Sequence, residues 1–328
     1  MTIDQDYWLI TGGAGYIGSH VADFFLAEDK QVIIYDSLSK GRISRVHYLE
    51  QKHQKSIPLI VADIRDSQKF KQVLQQFNIT GIIHTAGLKA VDESFLNKKE
   101  YFDVNLNGTA NILELAKDYE VRKFIFSSTA AVYGDIDISC ASQENHKTKP
   151  ISPYAESKLL AEAQVTDFLK VEGNIGASLR FFNVVGMSNT QLRDISADNL
   201  IPIIINQLKE GASPTIFGRD YPTEDGTCVR DFVDVRDIAR AHHIISNVSE
   251  KIPPIFNLGT GVGVSVLEVI NLILEISMQP NIGPTYLPRR KGDPPSVTAD
   301  VKLADSILGF RTQYTLRESI ESIVLQTS

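Results

Sequence analysis

With 328 residues, 43% of them hydrophobic and 22% charged, the chain has a soluble globular composition and the length to bury a large core. Its net charge of −7 leaves no basic surface for nucleic acid or an anionic membrane. Cys140 and Cys228 lie far apart and match no metal spacing, which predicts a reduced, cytoplasmic setting and no metal.

From Met1 to Asp6 there is neither a basic nor an apolar targeting region, so no signal peptide is expected. Residues 7–11 then read as a short buried strand and 17–28 as a helix, joined by Gly12, Gly15 and Gly18. Glycines at that spacing allow a tight turn, close approach to a pyrophosphate and tight helix–sheet packing, with phosphate at the free N–H groups of the helix start. A second strand, 31–35, ends at Asp36, placed to bind both adenine-ribose hydroxyls and to repel a 2′-phosphate, which favours NAD over NADP. Lys40 and Arg42 nearby act against that preference.

Strands at 57–61, 80–84, 121–126 and 177–182 alternate with helices at 67–77, 99–119 and 154–171, the pattern of a parallel sheet covered on both faces. The strand that ends at Ser127, Ser128 and Thr129 is followed by Tyr154 and Lys158, which share one face of the next helix. A phenol is only about 0.1% ionised at pH 7, so a tyrosine base needs roughly 4 kcal/mol of activation. A Lys⁺ one turn away supplies charge of the required sign. The same spacing recurs at Tyr48/Lys52 and Tyr119/Lys123, but only Tyr154 combines an upstream hydroxyl strand end with a continuous helix.

After Asn183 come a helix at 199–210, a strand at 215–217, a helix at 235–245, a strand at 255–258 and a helix at 264–277, among loops rich in Pro and Gly. The apolar stretch 266–276 is broken by Glu268, Asn271 and Glu275 and is too short to span a bilayer. The expected fold is α/β: a Rossmann-type doubly wound parallel sheet over 1–183 and a smaller α/β substrate lobe over 184–328, with the chain able to cross between them.

The glycine turn, the hydroxyl strand end and the Tyr154/Lys158 pair, in this order, resemble the extended short-chain dehydrogenase/reductase superfamily. Ala86-Gly-Leu-Lys-Ala-Val91, Asn105-x-Asn-Gly-Thr109, Ala131-Val-Tyr-Gly134 and Ser152-Pro-Tyr154 narrow the resemblance to the UDP-glucose 4-epimerase family. So do Arg180-Phe-Phe-Asn183, Asp220-Tyr-Pro-Thr-Glu-Asp-Gly-Thr227, Val229-Arg-Asp231 and Pro288-Arg-Arg-Lys-Gly-Asp293. The match runs from residue 7 to about 320. Ala130 and Ala131 stand where related dehydratases carry an acid/base pair and decarboxylases a Glu, and neither alanine transfers a proton.

The resemblance implies an isomerase of carbohydrate (galactose) metabolism that inverts C4 of a UDP-hexose through a 4-keto sugar, with NAD retained throughout. Tyr154 would take the 4-OH proton, Thr129 would hydrogen-bond O4, and Lys158 would bind the nicotinamide ribose and hold the tyrosine pKa down. Tyr16, Ile17, Ser37, Ser39, Lys40 and Gly41 would join Gly12, Gly15, Gly18 and Asp36 around the dinucleotide. Asp63, Ile64, Ala86, Gly87, Lys89, Asn105, Ser127 and Phe182 would complete that pocket. On the sugar-nucleotide side the resemblance implies Lys89, Ser128, Phe182, Asn183, Asn199 and Leu200, then the strand Thr215, Ile216 and Phe217, and Arg230, Arg290 and Asp293. Two arginines suit a diphosphate.

Val297 replaces a tyrosine found in some members and predicts room for a 2-acetamido group, as in UDP-GlcNAc and UDP-GalNAc. His84 and the His242/His243 pair read as satisfied core histidines, and Tyr133 as packing. Two alternatives stand beside this reading: an epimerase of UDP-glucuronate or another nucleotide sugar, and a non-catalytic NAD-binding sensor, which the intact Tyr154/Lys158 pair disfavours. A homodimer is expected, because Leu159, Leu160, Ala163, Phe168 and Leu169 exceed one sheet-facing stripe and helix 99–119 can complete a four-helix contact.

Overall fold

The computed structural model describes residues 5–134, 140–196, 199–290 and 293–327. Residues 1–4, and Lys291 and Gly292 of the 288–293 segment, lie outside the described residues. Along the chain β1 (Asp6–Thr11) leads to α1 (Tyr16–Ala27), β2 (Gln31–Asp36), α2 (Ile43–His53), β3 (Leu59–Val61), α3 (Ser67–Gln76) and β4 (Asn78–His84). Next come α4 (Val91–Leu96), α5 (Lys98–Phe102), a π-helical turn at Asp103–Asn107, α6 (Gly108–Asp118), β5 (Lys123–Thr129), α7 (Pro153–Lys170) and β6 (Ile175–Phe181). The remainder runs β7 (Asn183–Val185), α8 (Leu200–Lys209), β8 (Thr215–Phe217), β9 (Val229–Asp234), α9 (Val235–Ser246), β10 (Ile255–Leu258) and β11 (Gly263–Ser265). It closes with α10 (Val266–Ile276), β12 (Thr285–Leu287), β13 (Ser296–Val297), α11 (Lys302–Leu308) and α12 (Leu316–Thr327).

The chain forms two compact units and crosses between them more than once. The first comprises 1–132, 150–180 and 238–256, the second 133–149, 181–237 and 257–328. In the first unit the sheet order is β10-β6-β5-β4-β1-β2-β3, and β1 pairs in parallel with both β2 and β4. The strand order therefore reverses beside β1, which opens a crevice at the carboxyl ends of β1 and β4. Helices cover both faces, so strand interiors such as Leu9, Ile33, Ile82 and Phe124 are fully buried rather than alternating with polar residues.

The helix expected over 99–119 is divided. Asn105 sits in the π-helical turn and turns inward, where its Oδ1 accepts Leu88 N at 2.8 Å and its Nδ2 donates to Leu88 O and Ser157 Oγ, each at 3.0 Å. The widened turn is what aims this amide. Helix α2 was not expected, because its inner face is only Arg45, Val46 and Leu49 and its end is a left-handed Gln54 in place of glycine. Phe168 and Leu169 are core residues, with the Phe168 ring 5.7 Å from Phe124. The surplus apolar stripe on α7 is therefore smaller than the sequence suggested, with Leu160 and Ala163 its exposed members.

In the second unit β9 is central, pairing antiparallel with β11 and parallel with β13 and β7, while β8 and β12 form a separate parallel pair. Its core gathers Ile204, Ile216, Phe232, Ile270, Ile273 and Ile320. Buried Asp231 ties the strands together: it accepts Thr260 N at 2.7 Å, Gly261 N at 2.9 Å and Ala299 N at 3.1 Å. No described helix is long and apolar enough to cross a membrane.

Candidate functional site

The glycine turn sits at the end of β1. Gly12 has φ +70, and a Cβ there would lie 2.6 Å from Ala86 N, at the start of the loop after β4. Any side chain would both strain the backbone and close the crevice. Gly12 O accepts Gly15 N at 2.9 Å, and a Cβ on Gly18 would come 2.3 Å from the same oxygen, so α1 packs directly on the turn. Gly15 caps α1 without a side-chain hydrogen bond, which leaves the first-turn N–H groups directed at the crevice. Tyr16 and Ile17 occupy that turn, half-buried.

Asp36 ends β2 at the crevice rim. Its Oδ2 accepts Ala14 N at 3.0 Å and its Oδ1 accepts Leu38 N at 2.8 Å. Burial raises its pKa, opposed by those two amides and by Arg45. A Cβ on Gly41 would meet the carboxylate at 2.6 Å, so glycine is needed for the loop to close over it. Ser37 and Ser39 share a hydrogen bond of 3.0 Å on this loop, and Lys40 is exposed. Asp63 turns its carboxylate to Arg65 at 2.6 Å, and its carbonyl accepts Tyr35 OH at 2.9 Å. Ile64 packs beneath Gly108, while Gly87 and Lys89 are exposed on the loop after β4.

The end of β5 and the start of α7 supply the chemistry. Ser152 caps α7, accepting Ala155 N at 3.2 Å, and Pro153 fits the first turn, so Tyr154 stands where the helix begins. Thr129 Oγ1 accepts Ala131 N at 3.1 Å, which leaves its own proton for the Tyr154 oxygen, and the two side chains are hydrogen-bonded. Burial raises the Tyr154 pKa and the hydrogen bond from Thr129 lowers it. The Lys158 ammonium donates to Ser127 O at 2.9 Å and lies 4.6 Å from the Phe126 ring centre. Burial pushes Lys158 down to about 8, against the pull of Glu162. Of the other two Tyr/Lys pairs, Tyr48/Lys52 does lie on a helix, but the Lys52 ammonium is held by Asp23 at 2.7 Å; Tyr119/Lys123 spans the end of α6 and the start of β5.

Buried Ser127 Oγ has no hydrogen-bond partner among the described residues, an orphaned donor at the strand end where a ligand amide or hydroxyl would satisfy it. With the left-handed Gly12, the uncapped α1 and the carboxylate of Asp36, the first unit fits a dinucleotide.

The second unit brings another set together. Register places Val297 of β13 opposite Arg230 of β9, and Arg230 pairs with Asp293 at 3.3 Å while donating to Pro294 O at 2.9 Å. The Arg290 guanidinium lies 4.0 Å from the Phe217 ring centre at the end of β8. The neighbouring Arg289 is bound to Asp220 at 2.7 Å and stacks on Tyr221, which makes it a brace for the 220–227 loop. Thr215 is held by Gln207, whose Nε2 reaches its Oγ1 at 3.0 Å and whose Oε1 accepts its N at 3.2 Å. Asn199 donates to Asp194 ahead of the half-buried Leu200, Ile216 is buried, and Asn183 is exposed at the start of β7 beside buried Phe182. Sequence reasoning passed over Gln207, Asp194 and Glu162. Only Glu162 left a signal, one helical turn beyond Lys158. Among the described residues no cluster of three or more His, Cys, Asp or Glu side chains is placed to hold a metal.

A profile of the NAD dependent epimerase/dehydratase family matches residues 8–259, and the chain belongs to this family. It is 37% identical over 318 residues to the UDP-glucose 4-epimerase of Halalkalibacterium halodurans, covering 95% of this chain and 92% of that one. The structure of a UDP-glucose-4-epimerase from Stenotrophomonas maltophila, with bound NAD and formylated UDP-arabinopyranose, is 34% identical, superimposes with a TM-score of 0.91 and covers 98% of this chain and 97% of its own. That of Bifidobacterium longum UDP-glucose 4-epimerase in complex with NAD+ and UDP is 33% identical, with a TM-score of 0.90 and 98% of each chain covered.

Proposed function

We propose that the protein is an NAD-dependent isomerase that interconverts UDP-glucose and UDP-galactose by inversion at C4. The observation that carries this reading is the Thr129–Tyr154–Lys158 constellation at a dinucleotide crevice whose strand end continues into two alanines. Such a site moves one proton and performs no elimination. NAD, when bound, would supply a reversible two-electron hydride acceptor for C4 of the sugar. The first-turn amides of α1 and the Asp36 carboxylate would hold the dinucleotide, and Asp36 would select against a 2′-phosphate.

Thr129 donates to the phenol oxygen, favouring its ionised form, and Tyr154 takes the 4-OH proton and later gives it back. Lys158 holds Ser127 in place and adds positive charge at the strand end. In the second unit Arg230 and Arg290 provide the charge and forked geometry that a diphosphate requires, with Asp293 and Gln207 fixing Arg230 and Thr215.

Incubation of the purified protein with UDP-galactose should yield UDP-glucose without added cofactor, and denaturing extraction should release NAD. Tyr154→Phe should keep both ligands and lose about a hundredfold or more in turnover, the usual contribution of a positioned base. Release of mainly NADP, or near-normal turnover in the variant, would overturn the assignment.

We infer a cytoplasmic setting from the cysteine usage, two residues far apart in the chain and no disulfide framework in the sequence pattern. We assign it a homodimer through α7 and its neighbours: Leu160 is 41% exposed, and Phe95 and Leu96 on α4 are 58% and 86% exposed. Light scattering should give twice the chain mass of 36.4 kDa at micromolar concentration, and a monomer mass would remove this assignment.

A further inference from the structure

Helix α7 presents Tyr154, Lys158 and Glu162 one turn apart, and each meets a different residue at the end of β5. Tyr154 is hydrogen-bonded to Thr129, Lys158 donates to Ser127 O at 2.9 Å, and Ser128 Oγ donates to Glu162 Oε1. Glu162 is 2% exposed, and Arg180 of β6, 3% exposed, grips its carboxylate with Nε 3.0 Å from Oε1 and Nη2 2.8 Å from Oε2. A buried ion pair of this kind is a poor source of stability, since apolar residues of similar volume often replace it without loss. Its place in the fold suggests a different use. It stands directly behind the residues that move the proton.

The surroundings of Lys158 show what Glu162 supplies. β5 contributes the Ser127 carbonyl and the Phe126 ring, and β4 contributes His84, which burial and Lys158 itself keep neutral. The π-helical turn contributes the neutral amide of Asn105, which grips the loop backbone at Leu88. On α5, Lys98 reaches outward to Glu156 at 3.2 Å. On α7 itself lie Tyr154 and Glu162, and among all these facing groups Glu162 is the anion.

We infer that Glu162 is a positioning residue for the epimerase reaction: clamped by Arg180, it keeps Lys158 cationic and, through Ser128, fixes the strand end that presents Thr129 to Tyr154. The catalytic consequence rests on the epimerase reading, whereas the charge of Lys158 is measurable without turnover. Burial alone draws Lys158 toward its neutral form, and the negative charge of Glu162 opposes it.

The test is NMR titration of the holoenzyme carrying ¹³Cε-labelled lysine, with Lys158→Met to assign the resonance, alongside the pH profile of kcat. Glu162→Gln should lower the Lys158 titration by about one pH unit or more and move the alkaline limb of kcat the same way, while Glu162→Asp stays close to wild type. A Lys158 titration and alkaline limb unchanged in folded Glu162→Gln protein would overturn the inference. If that variant fails to fold, because Arg180 is left buried and uncompensated, Glu162→Gln combined with Arg180→Met removes both charges. The double variant is then read against Arg180→Met alone, which keeps the carboxylate, and equal Lys158 titrations in these two would overturn the inference. Absence of UDP-hexose turnover in wild type would reject the epimerase reading, and the lysine titration would still decide on Glu162.

Discussion

At the scale of single residues, the base is prepared by a short chain of donors. The Ala131 amide occupies the Thr129 oxygen, Thr129 turns its proton to Tyr154, and the phenol that burial would keep protonated is pulled back toward ionisation. The third hydroxyl of the strand end therefore serves as well from a threonine as from a serine, because the methyl does not enter this relay. Val297 works by volume. It is half-buried on β13 opposite Arg230, so whatever stands there borders the arginine proposed to meet the diphosphate. A valine leaves space that a tyrosine would fill, and the wild type should convert UDP-GlcNAc to UDP-GalNAc as well as the plain hexoses. Val297→Tyr should abolish the acetamido reaction and largely spare the plain one, since overpacking excludes only the larger ligand. Parallel rates on both substrates across wild type and variant show whether the residue gates the sugar. Equal loss of both would mean that it supports Arg230 or the fold, and wild-type inactivity on acetamido sugars would mean that other groups close the pocket.

At the scale of elements, legibility followed the strength of the local signal. The strands of the first unit were readable because burial on both faces makes them continuous apolar runs, as in Ile33 to Tyr35 and Phe124 to Phe126. The glycine turn was readable because the contact of Gly12 with Ala86 admits no side chain. By contrast, α2 buries an arginine and two aliphatics and ends without glycine, so neither its periodicity nor its stop was visible. The π-helical turn was hidden for another reason: it exists to satisfy Asn105 through Leu88 and Ser157, partners 17 and 52 residues away in sequence. The three-residue strands β7, β11 and β12, the two-residue β13 and the six-residue β9 were missed. Strands of two or three residues carry little period of their own, and β9 reads Val-Arg-Asp-Phe-Val-Asp, without a strict apolar/polar alternation. In the candidate site the same division holds. Residues on regular elements at fixed spacing, such as Tyr154, Lys158 and Asp36, were legible, whereas the braces Gln207, Asp194 and Arg289 act through contacts that no local pattern announces.

At the scale of the whole molecule, the buried histidines set a limit on acid stability. His84 lies between two hydroxyls, with Nδ1 2.7 Å from Thr11 Oγ1 and Nε2 2.9 Å from Thr109 Oγ1, and burial followed by the nearby Lys158 charge lowers its pKa to about 3. On α9, burial lowers His242 to about 4, opposed by its hydrogen bond to Ile238 O at 2.8 Å. An unfolded histidine binds its proton near pH 6.5, so between that pH and these lowered values the unfolded chain holds more protons than the folded one. Stability is therefore complete above pH 6.5 and is lost as the pH falls below it, by at most about 2.7 kcal/mol per pH unit for two protons. Asp36 and Asp231, both raised by burial, act in the opposite sense, but from the carboxylate range upward and against hydrogen bonds that restrain the shift. The melting temperature, measured with saturating NAD, should fall steadily from pH 7 to pH 5. His84→Gln, which can still bond one threonine and cannot be protonated, should start lower and decline less steeply. A wild-type melting temperature that stays level across this interval, or a decline of equal slope in the variant, would show that burial of neutral His84 does not govern the acid limit.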